Sequence, residues 1–167
     1  MGRASELAAE LRARESENAA AGKAALDVYS VISDHADDLW EVFVAGTVNG
    51  IEEFAGAWQA AKNSCLSAKR LNANSLIIST IIVPRLKLDI LYIPKRCISY
   101  RTTEQFTACA LPEVGSSGEF RFTADRQMQP YFTDGKRYLV PQEAADILID
   151  LVGDFFKKAQ ALPSILS

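Results

Sequence analysis

The stretch SLIISTIIVPRLKLDILYIPKRCISY, residues 75–100, decides how the rest of the chain is read. In its second half Leu86, Leu88, Ile90 and Tyr92 fall on one side of an extended backbone, and Arg85, Lys87 and Asp89 fall on the other. Side chains alternate faces along a strand, so this spacing predicts a β-strand with one buried and one wet face. The first half, SLIISTIIV, is apolar at most positions and rich in β-branched residues, the pattern of a central strand covered on both faces. Pro84 and Pro94 close the two runs, because proline has no amide proton to give to a ladder.

Toward the C-terminus the period of two persists. Cys97–Thr102, Gln105–Leu111, Glu119–Thr123, Gln129–Thr133 and Lys136–Val140 read as further strands. Asp134 and Gly135 join the last two as a tight hairpin, since both residues tolerate positive φ. The segment PEVGSSG, residues 112–118, reads as an exposed loop. Pro141 then opens a helix whose apolar residues Ile147, Leu148, Ile149, Leu151, Val152, Phe155 and Phe156 cover more than half its circumference. One sheet face needs less than that. The helix must meet two surfaces: the sheet plus an N-terminal helix, or the sheet plus another subunit.

Toward the N-terminus the period changes to that of a helix. Ala25, Val28, Tyr29, Ile32, Ala36, Leu39, Trp40 and Phe43 share one side, and Asp27, Asp34, Asp37, Asp38 and Glu41 share the other. Gly46 predicts the end of this helix, and Asn49 with Glu52 resembles a capping box that opens a second one carrying Ile51, Phe54 and Trp58. Further out, only Leu7 and Leu11 could anchor residues 4–21. Residues 1–22 are therefore expected to form a flexible or partner-dependent helical extension of a single α+β domain spanning residues 23–167. The predicted fold has two N-terminal helices, an antiparallel meander sheet of about five or six strands, and a C-terminal helix packed on the sheet.

A composition of 49% apolar and 23% charged residues in 167 positions suits one globular domain. The charged N-terminus lacks the apolar core of a secretory signal, and the longest apolar run, residues 76–83, is too short to cross a bilayer. No membrane association and a cytoplasmic location are expected. Three cysteines, Cys65, Cys97 and Cys109, form no C-x-x-C pair, so neither a disulfide framework nor a zinc site is indicated and buried free thiols are expected. The net charge of −3 conceals a segregation: residues 1–63 carry eleven acidic and five basic side chains, whereas residues 64–101 carry seven basic ones against Asp89 alone.

Candidate chemistry is sparse. His35 is the single histidine, so imidazole catalysis would run through it, yet a place on the border of the helix's apolar side is the preferred explanation. Asp89 and Glu104 are acids that a strand pattern could bury, and an enzyme reading would rest on them or on His35. Asp146, Asp150 and Asp154 form a water-facing helical strip beside Lys157 and Lys158. The glycines of VGSSG lack the spacing of a phosphate loop. No catalytic residue, metal site or cofactor is assigned. The cations Arg85, Lys87, Lys95, Arg96 and Arg101 form a candidate basic surface for a protein or polyanionic partner, although charged residues also guard exposed strands against aggregation. Nucleic acid is the weaker choice of partner, because no RNA-recognition or cold-shock aromatic motif accompanies the cations and the whole chain is acidic. The expected function is a non-enzymatic protein-interaction module that self-associates as a homodimer. The alternative is a small-ligand cup lined by Trp58, Tyr92, Tyr100, Phe106, Phe120 and Phe122, or an enzyme built in such a cup.

Overall fold

The computed structural model describes residues 3–162. Helix α1 runs unbroken over Arg3–Ala57, and one turn of helix, α2, follows at Gln59–Asn63. Seven strands come next: β1 Ser67–Asn72, β2 Ser75–Ser79, β3 Arg85–Ile93, β4 Cys97–Gln105, β5 Glu113–Ala124, β6 Pro130–Thr133 and β7 Tyr138–Leu139. Helix α3, Pro141–Ala161, closes the chain with proline in its first turn, where a missing amide proton costs nothing. The strands form one antiparallel meander in the order β1 to β7. This is an α+β architecture with the helices packed on one face of the sheet.

Strand alternation sorts the two faces as the opening stretch predicts. Leu86, Leu88 and Ile90 are buried, while Arg85 and Lys87 are exposed. Register carries that face across the sheet, placing Ile98 between Tyr92 and Phe120, and Phe132 beside Phe122. Trp40 and Phe43 of α1 press onto these residues, with Phe43 edge-on to both Phe120 and Phe132. From α3, Ala144, Ala145, Leu148, Val152, Phe155 and Phe156 complete one continuous core. The apolar surplus of α3 is thus met by α1 and the sheet of the same chain.

The helix does not end at Gly46 as predicted, and the reason lies in α3. A Cβ at Gly46 would stand 2.9 Å from Gln142 Oε1; one at Gly50 would overlap Ile149 Cδ1 and stand 3.2 Å from Cγ1. These glycines, one turn apart, let α3 lie close against α1. Packing overrides a helix-propensity loss of about 1 kcal/mol per glycine.

The sheet departs from prediction at its edges. β1, where a polar connection was expected, buries almost nothing and so offers no hydrophobic signal. β2 has one buried face rather than two and stops at Ser79, leaving Ile81 and Ile82 exposed in the following loop. β4 continues to Gln105, residues 106–112 form a loop instead of a strand, and the segment predicted as a loop at 112–118 lies largely within β5. An irregularity in the β4–β5 pairing permits this: Arg101 pairs with Ser117 but Thr103 with Val114, leaving Gly115 and Ser116 opposite Thr102. The Asp134–Gly135 turn forms as predicted, with Asp134 Oδ1 accepting from the amides of Lys136 and Arg137 and Gly135 at φ +90°. Of the cysteines Cys97 is buried, whereas Cys65 and Cys109 are exposed, because both lie in connections rather than in the elements expected to bury them. Among the described residues no helix is long and apolar enough to cross a membrane.

Candidate functional site

The predicted basic residues divide into two groups. Arg85, Lys87 and Arg101 occupy the outer sheet face, where β3 and β4 lie side by side. Arg85 and Lys87 line a shallow cleft of about 360 Å³ with Ile77, Ser79, Thr103 and Gln105. Asp89 stands between the other cations: it accepts from Lys87 at 3.0 Å and lies directly opposite Arg101 in register. Lys95 and Arg96 are exposed at the β3–β4 turn, roughly 25–30 Å from Arg85 at the usual rise of a strand. The five residues therefore form a local cluster and a separate pair, not one continuous patch. A further cation, Arg70, turns toward α1 and holds Glu41 with two hydrogen bonds, at 2.6 and 2.7 Å. That guanidinium keeps the Glu41 carboxyl below its usual range.

The predicted ligand-lining aromatics pack on one another and on further rings of the core. Tyr92 stacks on Trp40, Tyr100 tilts over Phe120, and Phe122 meets Phe132 at 5.2 Å between ring centres. Phe106 stacks on Phe155, and Trp58 lies against Phe54 and Phe156. The Tyr92 hydroxyl reaches through the core to donate to Asp37. Burial, and then that carboxylate, push the Tyr92 phenol up to about 12. Burial likewise raises Tyr100 and Cys97, with Glu119 adding to the shift at the thiol. His35 is exposed on α1. Among the described residues no three His, Cys, Asp or Glu side chains converge to hold a metal ion.

A second cleft, of about 260 Å³, opens where the inner sheet face meets the end of α3. Thr102, Glu104 and Ser116 form its sheet side, and Leu151, Asp154, Lys157 and Lys158 its helix side. Glu104 follows Ile98, Tyr100 and Thr102 at every second position, so alternation puts a carboxylate on the apolar face. Its side chain is 10% exposed. The β5 irregularity makes room for it: a Cβ at Gly115 would overlap Glu104 Oε1 and stand 2.7 Å from Thr102 Oγ1. Thr102 Oγ1 in turn accepts from the Ser116 amide at 2.6 Å, fixing the bulged backbone around the carboxylate. The sequence marks Glu104 as an acid that a strand could bury, but Lys158 joins it only through packing of α3, which no local pattern encodes.

The third feature is the first part of α1. Residues 3–27 are exposed throughout, and burial begins only near Val28. At 1.5 Å per residue this arm extends about 37 Å. Comparison with protein-family models, with curated protein sequences and with solved structures returned no match.

Proposed function

We propose that the chain is a protein-interaction module that self-associates by antiparallel pairing of the α1 arm with the arm of a second copy. The observation that carries this reading is the continuous exposure of residues 3–27 in helical form. An isolated helix of this length is marginal in water, because most helical stability in proteins comes from packing one face against something else. The arm has such a face. At 100° per residue Ala4, Leu7, Leu11, Ala19, Gly22 and Leu26 lie within a sector of about 120°, interrupted by Glu15 and Asn18, and its leucines are more than half exposed.

Paired antiparallel about the midpoint of residues 14 and 15, two copies set Leu7 level with Gly22 and bring Leu11 within one residue of Ala19 and Leu26 within one residue of Ala4. The same register sets Arg12 and Arg14 level along the axis with Glu17 and Glu15. In a parallel, in-register pair each charge would instead meet its own kind. Arg14, which binds Glu10 within its own arm at 3.1 Å, sits on an exposed pair that a second copy can replace. The cationic sheet face supports the reading less than the arm does, because Asp89 already opposes Lys87 and Arg101.

Sedimentation across a concentration series tests this, with the full chain, a variant lacking residues 3–22, and Leu11→Glu. The full chain should dimerise as concentration rises to roughly 100 µM. Both variants should stay monomeric while keeping the circular dichroism of a folded body. A full chain that is monomeric throughout, or a dimer that survives the deletion, would refute the proposal.

A further inference from the structure

We infer that the cleft between β4, β5 and the end of α3 binds a small zwitterion, its ammonium on Glu104 and its carboxylate on Lys158. The inference is independent of the arm. Glu104 is nine-tenths buried and no hydrogen bond from the described residues reaches its carboxylate, yet no fully buried side-chain oxygen there is left without a partner, so its oxygens open onto the cleft. Its one ionic partner, Lys158 Nζ, stands at 3.6 Å, beyond the 2.7–2.9 Å of a formed charge-assisted bond. Cleft water solvates those oxygens, and a ligand that supplies charge-assisted donors can displace it. The carboxylate also borders open space, since Glu104 lines the 260 Å³ cleft together with the hydroxyl residues Thr102 and Ser116.

Charge balance selects the kind of ligand. A simple cation entering between Glu104 and Lys158 would satisfy the acid but displace the lysine. A simple anion would engage the lysine but meet repulsion from the acid beside it. A molecule with both charges inserts into the loose ion pair and satisfies each end. Lys157, held by Asp154 at 3.2 Å on the rim, adds a second ammonium for the ligand's anionic end. Leu151 provides the apolar wall for a short aliphatic spacer. At about 260 Å³ the space falls below the roughly 300 Å³ at which pockets for drug-sized molecules begin, so the ligand is amino-acid-sized. The bulge serves the same end, because Gly115 is the position that lets the Glu104 carboxylate lie against backbone.

Amide NMR of the full chain, titrated with glycine, β-alanine and 4-aminobutyrate, tests the site; butylamine and butyrate supply each charge alone. At least one zwitterion should shift the amides of Thr102, Glu104, Gly115 and Ser116, and bind at least tenfold more tightly than either control. Glu104→Gln should weaken that binding tenfold or more. Lys158→Met, at a half-exposed position, should do the same while the variant keeps the circular dichroism of the parent. A response to butylamine or butyrate as strong as to the zwitterions would overturn the assignment. So would unshifted amides at these residues, or unchanged affinity in Lys158→Met.

Discussion

Replacing Gly50 by alanine separates two effects that usually travel together. In an open helix the change would gain about 1 kcal/mol, because alanine restricts the unfolded backbone and favours helix. At Gly50 the new methyl overlaps Ile149 Cδ1 and stands 3.2 Å from Cγ1, so α3 must shift or Ile149 must leave its rotamer. Overpacking of this kind costs about 1 to 3 kcal/mol, and the net expectation is a loss of about 1 kcal/mol. Ile149→Val removes the offending Cδ1 and alone should cost about 0.5 to 1 kcal/mol, given that Ile149 is only half-buried. In the double variant the alanine methyl occupies the vacated space, so the stability should return close to that of the parent. Urea denaturation of the four proteins yields a coupling of about 1 to 2 kcal/mol if the contact is as described. Gly56→Ala, with nothing within 4 Å of its Cβ position, is the control and should stabilise. Additive singles, or a Gly50→Ala as favourable as Gly56→Ala, would refute the role given to this glycine.

Two further outcomes follow from burial. Phe43→Ala and Leu88→Ala should each lower the unfolding free energy by about 2 to 5 kcal/mol, and Lys87→Ala by no more than about 0.5, because the first two fill the core and the third faces water; equal losses in urea melts would contradict the face assignments. The Tyr92 phenol, raised from 10.0 to about 12, is held neutral in the folded protein, so its contribution of about 3 kcal/mol is fully present below pH 10 and is lost as pH rises through 12. Stability measured between pH 9 and 12 should fall more steeply for the parent than for Tyr92→Phe, and parallel slopes would contradict the burial argument.

What was legible in the sequence was whatever a single periodicity could express. Leu86, Leu88 and Ile90 alternate with charge, and their faces follow from that alone. The turn at Asp134 and Gly135 and the helix start at Pro141 rest on local backbone chemistry and were equally readable. The misreadings arise where a residue's meaning depends on something distant. Gly46 has the local look of a helix end, but Gln142 and Ile149 make Gly46 and Gly50 a surface for close approach. β1 is an edge strand with almost no buried side chain, so no alternation marks it. PEVGSSG has loop composition, yet the pairing of β4 draws most of it into the sheet as a bulge. At the candidate sites the division is similar. Glu104 lies two residues past the predicted end of its strand at Thr102, and the longer β4 carries the alternation to it, whereas bringing Lys158 to it takes the complete fold. The segregation of charge visible along the chain is resolved in part by the contact between Arg70 and Glu41.

The continuity of α1 gives the molecule a mechanical property. The segment that projects into solvent and the segment that carries Trp40 and Phe43 are one rod, with no loop between them to act as a swivel. Each residue of helix turns about 100°, so twisting the projecting end exerts torque on the aromatic rings at the other. Whatever grips the rod is thereby aligned with the sheet in azimuth as well as in distance, and a load applied there reaches the body's interior before it reaches its surface.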